Sequence, residues 1–176
     1  VRGGGHNVAG TAVCDEGILI DLSRMKGMRV DPARRTARAE AGLTWGELDY
    51  EAQAFGLATI GVDVSTVGIA GLTLGGGFGW LVRNYGLACD NLLSVDIVTA
   101  EGRFLTASNT ENADLFWGVR GGGGNFGIVT SFEYRVHPVG QLLAGVVLHP
   151  LTKAKEVLKF YRDYTSTAPD ELTAWA

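Results

Sequence analysis

The chain opens on six residues that combine backbone freedom with one reactive side chain, Arg2-Gly3-Gly4-Gly5-His6-Asn7. Three consecutive glycines can adopt conformations that other residues avoid, so their N–H groups can converge on one anion. A histidine directly after such a segment lies beside whatever the segment binds. The pattern predicts a phosphate-bearing ligand that the backbone binds and that His6 contacts. Packing of His6 within its own loop is the equally supported alternative.

A second segment rich in small residues extends over residues 66–79. It contains Gly68, Gly71 and a run of glycines that begins at Gly75. Residues without a side chain let a ligand or another backbone approach closely. The segment therefore predicts a second site of close backbone approach.

Other glycine and nucleophile patterns do not support competing functions. Residues 122–127 match the Gly-x-Gly-x-x-Gly spacing of Rossmann domains, but that motif follows a strand and begins a helix. Here a predicted helix comes first and an alternating strand follows, so the Rossmann interpretation fails. Neither a P-loop nor a Gly-x-Ser-x-Gly nucleophile motif occurs in the chain.

The histidines and cysteines do not form a metal-binding pattern. His137 and His149 each precede a proline and are interpreted as structural or surface residues. No Cys-x-x-Cys or His-Glu-x-x-His motif is present, so no metal site is predicted. Cys14 and Cys89 are predicted to be two buried thiols, because two cysteines do not make a disulfide framework; a single disulfide between them is the alternative.

Composition predicts a folded domain and limits its partners. Of the 176 residues, 46% are hydrophobic and 19% are charged, as in ordinary globular proteins. The net charge of −4, without a basic patch, argues against nucleic acid as a partner. No apolar run is long enough to cross a membrane, and no signal segment is present. The chain begins without methionine, as expected for one truncated at both ends. A cytoplasmic location is favoured. The sequence indicates no oligomeric state.

Strands and helices are mixed along the chain. A helix is predicted from the N-cap Thr44, with Glu47 completing a capping box, to Gly56. Nine alternating positions predict a strand over residues 128–136. Further strands are predicted over residues 18–22, 28–30, 36–41, 92–99, 103–106 and 142–148, and further helices over residues 80–85, 115–117 and 152–164. Because no regular βαβ repeat is present, the predicted fold class is α+β.

Five segments, in order along nearly the whole chain, resemble the flavoprotein oxidase family that includes vanillyl-alcohol oxidase, and especially its berberine-bridge-enzyme-like branch. Each segment alone is common, whereas the five together are specific for the family. The segments are Arg2–Asn7, Gly17–Leu22, Thr66–Gly68 with Gly75–Gly79, Tyr85–Asn91, and Leu115–Gly121 with Asn125–Val129.

The resemblance implies a PCMH-type FAD-binding domain of two α+β subdomains, with the dinucleotide between them. This domain would occupy residues 1–138, incomplete at its N-terminus, and residues 139–176 would begin a substrate-binding domain. In this family the opening loop binds the pyrophosphate through backbone N–H groups. Its histidine is bonded covalently to the 8α-methyl carbon of the isoalloxazine, a role that falls on His6. The implied cofactor-binding residues are Arg2, Gly3, Gly4, Gly5, His6, Asn7, Ser65, Thr66, Val67, Gly68, Gly71, Gly127, Ile128 and Val129.

One departure from the family pattern concerns a second covalent bond. Bicovalent members carry a cysteine, linked to flavin C6, at the position that Val64 occupies here. Valine cannot form that bond, and Cys89 lies in a different segment. The resemblance therefore implies a single covalent link to FAD, through His6.

The resemblance also implies an activity. A small organic substrate would transfer a hydride to the flavin, and molecular oxygen would then take two electrons, giving hydrogen peroxide. Val67 lies where some relatives have a residue that controls oxygen access, and valine there favours an oxidase over a dehydrogenase. A flavin dehydrogenase with another acceptor, and a non-catalytic FAD- or nucleotide-binding fragment, are the alternatives. No catalytic base is assigned, because in the family it comes mostly from the substrate-binding domain.

Overall fold

A five-stranded antiparallel sheet forms the centre of the fold in the computed structural model, which describes all residues from Val1 to Ala176. Its strands are β1 (Met28–Asp31), β2 (Thr36–Glu40), β4 (Leu92–Val98), β5 (Phe104–Ser108) and β6 (Ile128–Arg135). They lie in the order β1-β2-β6-β4-β5. A second sheet pairs β3 (Leu57–Ala58) with β7 (His137–Pro138). The combination of antiparallel sheets with helices confirms the predicted α+β class.

Five α-helices accompany the sheets. They are α1 (Trp45–Gln53), α2 (Ile69–Leu74), α3 (Val82–Tyr85), α4 (Ala113–Val119) and α5 (Ala154–Thr165). Short 3₁₀ turns occur at Cys89–Asn91, Gly123–Phe126 and Leu151–Lys153. None of the helices has both the length and the apolar character needed to cross a membrane.

The hydrophobic core lies between one face of the large sheet and helices α1, α2 and α4. Alternation along the strands directs Val95, Phe132 and Tyr134 into this core, where they join Trp45 of α1 and Phe116 of α4. The opposite face carries polar side chains. The ion pair between Arg38 and Asp96, for example, links β2 to β4 across the sheet.

Helix α1 begins as the sequence predicts. The Glu47 carboxylate accepts the N–H of Thr44 at 2.8 Å, which forms one half of the capping box. Trp45, Leu48 and Ala52 follow on the buried side of the helix. The capping box and the buried face both confirm the predicted helix.

Two predicted strands are wrong. Residues 18–22 form only an isolated bridge, between Asp21 and Arg2, because no longer partner segment lies alongside them. Residues 142–148 have the apolar composition of a buried strand, but no neighbouring strand supplies hydrogen bonds, and side chains such as Leu143 are exposed. Cys14 is also exposed rather than buried, whereas Cys89 is buried as predicted.

His137 has the structural role that the sequence suggests. Its ring stacks on Tyr85, with centroids 3.8 Å apart. Asn91 donates from its amide nitrogen to the carbonyl groups of Tyr85 and Leu87, so its amide oxygen faces His137. The His137 Nε2–H therefore donates to that oxygen at 2.7 Å. The other proline-flanking histidine, His149, is exposed.

The C-terminal segment that includes α5 packs against the segment around α3. Arg83 donates to the carbonyl group of Ala168 at 2.8 Å. The rings of Trp80 and Trp175 stack with centroids 4.1 Å apart. These contacts, rather than strand pairing, attach residues 151–176 to the rest of the chain.

Candidate cofactor-binding site

A cavity of about 670 Å³ opens between three glycine-rich segments, and we call it the glycine cavity. The lining comes from some of the residues in each of the segments 1–12, 67–75 and 123–129, together with Leu22. Small-molecule and cofactor sites have volumes of roughly 300–1,000 Å³, so the size suits such a ligand. The fold thus brings together the opening loop and the second glycine-rich segment.

The opening loop is held at its base and leaves its donors free. The N–H of Arg2 donates to the Ile20 carbonyl group at 2.9 Å, and the N–H of Leu22 donates to the Arg2 carbonyl group at 2.8 Å. From Gly3 to Asn7, no backbone N–H donates to an acceptor within the chain. Five consecutive free donors along a cavity wall are what an anion needs.

The two glycine-rich segments touch through their backbones. A Cβ atom added to Gly4 would overlap the backbone of Gly68, and one added to Gly68 would overlap the backbone of Gly4. Each position therefore requires glycine for the other to approach. This contact fixes the opening loop against the start of α2.

The turn before α2 is anchored to the first residues of α1. The N–H of Trp45 donates to the Val67 carbonyl group at 2.9 Å, and the N–H of Gly46 donates to the Ser65 carbonyl group at 2.9 Å. A Cβ atom at Gly46 would lie 2.9 Å from the Ser65 Cβ atom, so the absence of a side chain permits this approach. Helix α1 thereby holds the backbone on both sides of Thr66.

His6 is oriented by a side chain from that turn. Its Nε2 atom lies 2.9 Å from the Thr66 Oγ1 atom, within hydrogen-bonding distance. His6 lines the glycine cavity, whereas Thr66 does not. Thr66 therefore binds the imidazole from outside the cavity.

Helix α2 forms one wall of the cavity and is tied to the sheet beneath. The hydroxyl groups of Thr73 and Tyr134 are 2.7 Å apart and buried. Burial raises the pKa of Tyr134, with Thr73 partly opposing that shift, so the phenol remains a neutral hydrogen-bonding group. On the cavity side, a Cβ atom at Gly71 would meet no atom within 4 Å. The missing side chain of Gly71 therefore leaves space for a ligand, not for packing.

The third wall is the loop that leads into β6. The Phe126 ring packs against Gly118 of α4, where a Cβ atom would lie 2.8 Å from the ring. Gly127 has a φ of +141° and lies against the Val98 carbonyl group, where a Cβ atom would overlap it. These two contacts fix the loop, so that Gly124 can leave open space at the cavity.

The lining carries almost no formal charge. None of its residues is Asp, Glu, Lys or Arg, and His6 is its one titratable side chain. An anion in this cavity would therefore be stabilised by oriented N–H groups rather than by salt bridges. Val67, Leu72 and Ile128 supply apolar surface for the rest of a ligand.

Most residues implied by the family resemblance meet in the cavity. Lining residues among them are Gly3, Gly4, Gly5, His6, Asn7, Val67, Gly68, Gly71, Gly127, Ile128 and Val129. Arg2, Ser65 and Thr66 lie outside the lining. Arg2 closes the base of the opening loop, Ser65 binds α1 through its carbonyl group, and Thr66 binds His6.

Several lining residues were not singled out as cofactor-binding residues from the sequence. Gly71 and Leu74 of α2 line the cavity together with Gly75, which follows the helix, and their i, i+3, i+4 spacing is a signal that could have identified the last two. Gly123 and Gly124 belong to the motif that failed as a Rossmann fingerprint. Thr11 and Ala12 carry no sequence signal for this role.

Comparison with known proteins identifies the family. A family model described as "FAD binding domain" matches residues 1–108. The chain belongs to this FAD-binding domain family. The crystal structure of 6-hydroxy-D-nicotine oxidase from Arthrobacter nicotinovorans is 44% identical, covers 78% of this chain and 30% of its own, and superposes with a TM-score of 0.76. The berberine-bridge-enzyme-like protein 1 of Physcomitrella patens is 37% identical, with coverages of 77% and 30% and a TM-score of 0.74.

A third structure similar to this FAD-binding domain is that of Phl p 4, a grass pollen allergen with glucose dehydrogenase activity. It is 37% identical, covers 79% of this chain and 30% of its own, and gives a TM-score of 0.73. A variant of that protein, in which one isoleucine is replaced by valine, is described as a glucose oxidase.

These likenesses confirm the predicted family resemblance and the PCMH-type FAD-binding fold. The chain spans only about a third of the length of the curated relatives it matches, 38% of one and 32% of another. Those relatives are therefore considerably longer than this chain.

The glycine cavity fits FAD on two observations. The free N–H groups from Gly3 to Asn7 supply donors for a diphosphate without the need for a cationic side chain. Gly71 and Gly124 leave open space that a Cβ atom would fill. The residues present thus suit a large anionic ligand with an apolar ring.

Proposed function

We propose that this chain is part of an FAD-linked oxidase acting on a small organic substrate. The observation that carries the proposal is the row of five free N–H groups that ends beside the imidazole of His6 in the glycine cavity. FAD, when bound, supplies hydride acceptance and passes two electrons to molecular oxygen, which yields hydrogen peroxide. Residues 1–138 form the FAD-binding domain, and residues 139–176 begin the substrate-binding domain.

The backbone of the opening loop binds the diphosphate. Because the lining has no Lys or Arg, the N–H groups of Gly3, Gly4 and Gly5 provide the positive end of each dipole that faces the anion. The Gly4–Gly68 contact holds these donors in place before the cofactor arrives. Such preorganisation lowers the entropy cost of binding.

His6 forms the single covalent link to the flavin. It is the one nucleophilic side chain with a titratable nitrogen or sulfur in the lining, since neither Cys14 nor Cys89 contributes to it. Val64 cannot replace the cysteine of bicovalent relatives. The absence of a thiol from the lining supports attachment at one position only.

Val67 favours molecular oxygen as the electron acceptor. Its half-buried side chain lines the cavity, while its carbonyl group is bound to α1. The pollen protein has glucose dehydrogenase activity, whereas its variant with one isoleucine replaced by valine is a glucose oxidase. A small side chain at Val67 supports the same outcome here.

The lining supplies no proton acceptor for the substrate other than His6, because no carboxylate or phenol lies in it. A residue of the substrate-binding domain therefore takes the substrate's proton. The residues of this chain bind and orient the cofactor instead.

The covalent link is tested by acid precipitation of the whole protein. We expect a yellow pellet from the wild type and a colourless pellet from His6→Ala. His149→Ala is the matched control, because His149 is exposed and does not line the cavity. A colourless wild-type pellet would contradict attachment.

A dehydrogenase is the second candidate, favoured by the likeness to the pollen protein with glucose dehydrogenase activity. Anaerobic reduction by a substrate or dithionite, followed by exposure to air, separates the two. An oxidase regains its oxidised flavin spectrum rapidly. A spectrum that recovers only after an artificial acceptor is added would show a dehydrogenase.

A further inference from the structure

We infer that Thr66 is a positioning residue for flavin attachment: its hydroxyl group holds His6 at Nε2 and leaves Nδ1 to form the bond. The inference rests on the proposed covalent link through His6. Thr66 Oγ1 and His6 Nε2 are 2.9 Å apart, and no other side chain in the chain hydrogen-bonds to the imidazole.

The backbone around Thr66 is held by the start of α1. Its two neighbours, Ser65 and Val67, each bind the start of α1 through a carbonyl group at 2.9 Å. The Val67 N–H also donates to the Val64 carbonyl group at 3.1 Å, which closes the turn. The backbone on either side of the hydroxyl group therefore has little freedom.

The backbone of the opening loop that carries His6 is held by its contact with Gly68. Gly4, two residues earlier, lies in backbone contact with Gly68, two residues after Thr66. The two segments are thus joined at one point by their backbones and at a second point by the hydrogen bond between Thr66 and His6. Together the two contacts restrict how the His6 ring can turn relative to the cavity, more than either contact would alone.

The hydrogen bond also occupies Nε2 and leaves Nδ1 as the ring nitrogen without a hydrogen-bond partner in the chain. A neutral imidazole carries its proton on one nitrogen and its lone pair on the other. When Nε2–H donates to Thr66 Oγ1, the lone pair lies on Nδ1, which becomes the nucleophile. After attachment Nε2 carries the lone pair, and the hydroxyl group of Thr66 can donate to it. A hydroxyl group serves both states, whereas a methyl group serves neither.

The attachment reaction is a two-electron oxidation of the 8α-methyl group of the flavin. The His6 Nδ1–C8α bond forms, one C–H bond of the methyl group breaks, and the Nε2 proton is released. Two electrons and two protons pass to the flavin ring. Molecular oxygen then takes them and gives hydrogen peroxide, so no further oxidant is required.

The test compares Thr66→Val, which keeps the shape but lacks the hydroxyl group, with Thr66→Ser, which keeps the hydroxyl group. Whole protein prepared without flavin is mixed with FAD, and the covalent fraction is followed by flavin fluorescence on denaturing gels. We expect attachment in Thr66→Val to be about tenfold slower, as loss of one hydrogen bond of ordinary strength allows. Thr66→Ser should react at close to the wild-type rate.

Reversible binding of FAD, measured by quenching of flavin fluorescence before attachment, should be the same in all three proteins, because Thr66 does not line the cavity. A Thr66→Val protein that attaches FAD at the wild-type rate would overturn the inference. Equal slowing in Thr66→Ser would overturn it too.

The wild-type protein provides a measurement that needs no variant. Nuclear magnetic resonance of the flavin peptide, released by proteolysis, identifies the bonded nitrogen. A link at Nδ1 supports the role of Thr66, and a link at Nε2 refutes it even if Thr66→Val does not fold. Covalent flavin that persists in His6→Ala would instead refute the proposed attachment through His6, on which this inference rests.

Discussion

At the scale of single residues, the glycines of the cavity serve two different purposes. Gly4 and Gly68 are needed because their backbones touch each other. Gly71 is needed because its missing side chain leaves room within the cavity. Substitution should separate these purposes, since the first concerns the fold and the second concerns the ligand.

Replacement of Gly71 by alanine should raise stability and weaken FAD binding. Alanine is favoured over glycine within a helix by about 1 kcal/mol, and its Cβ atom meets nothing in the protein. The same atom occupies space in the cavity. Thermal unfolding of the flavin-free protein and titration with FAD measure the two effects.

Gly4→Ala is the matched comparison, because its Cβ atom would overlap the backbone of Gly68. We expect this variant to lose both stability and FAD binding. If Gly71→Ala bound FAD as tightly as the wild type, the assignment of α2 to the cofactor wall would be wrong.

Replacement of Val67 by leucine should slow reoxidation of the flavin by air. The larger side chain extends into the cavity, while the carbonyl bond to α1 is unaffected. We expect a rate about tenfold lower, which corresponds to a barrier higher by about 1.4 kcal/mol. Stopped-flow mixing of the reduced protein with oxygen measures it. An unchanged rate would argue against control of oxygen access at Val67.

At the scale of elements, α1 acts as a support for the site. Its first two N–H groups bind the turn that carries Thr66. Loss of the helix cap should therefore lower the free energy of unfolding. Flavin attachment should be affected only indirectly, because a less stable α1 holds the turn around Thr66 less firmly.

Thr44→Ala should lower the free energy of unfolding by about 1 kcal/mol, because it removes the side chain of the capping box. Thr44→Ser keeps the hydroxyl group and should be close to the wild type. Urea unfolding followed by circular dichroism measures both. Equal stability of Thr44→Ala and the wild type would show that Glu47 alone suffices as the cap.

The elements that sequence predicts well are those with local signals. Thr44 and Glu47 specify the start of α1, and nine alternating residues specify β6. Residues 18–22 and 142–148 have strand composition, but a strand also requires a neighbour, which local sequence does not reveal. Helix α2 was missed because its glycines suggest a loop, whereas burial of Ile69 and Leu74 and the bond between Thr73 and Tyr134 stabilise it.

At the scale of the whole molecule, His137 couples stability to pH. Burial lowers its pKa, and the positive charges of Arg135 and Arg35 lower it further. The unfolded chain, with a histidine pKa of about 6.5, therefore takes up this proton before the folded chain does. The contribution of neutral His137 to the free energy of unfolding is fully present above a pH of about 6.5. It is lost as the pH falls through the lowered pKa of the folded state.

His137→Gln should remove this part of the pH dependence, because the amide can still donate to Asn91 but does not titrate. We expect the wild type to be the more stable protein at pH 7.5, with a smaller difference at pH 5.5. Denaturant unfolding at the two pH values measures the difference. A constant difference would exclude His137 as its source, and His149→Gln is the control at an exposed histidine.

The candidate site was predictable only in part from physical patterns. The triplet Gly3–Gly5 with His6 indicated an anion site, but packing of His6 in its loop was an equal alternative. The family resemblance added Gly127, Ile128 and Val129, which line the same cavity. The contact of Gly4 with Gly68 and the bond from Thr66 to His6 join residues about 60 positions apart, and no local pattern encodes such distances.

The wall of the glycine cavity is nearly uncharged. The backbone groups proposed to bind the diphosphate are therefore different from the side chains that would surround the flavin ring. Peptide dipoles persist through almost any amino-acid replacement. If FAD binds as proposed, replacement of Val67, Leu72 or Ile128 would change the apolar surface around the ring without removing the N–H donors of Gly3 to Asn7. Exchange of a contact glycine such as Gly4 is the costly exception. Under the proposed function, such a scaffold would be able to change the surroundings of the flavin ring without rebuilding the backbone that binds the nucleotide.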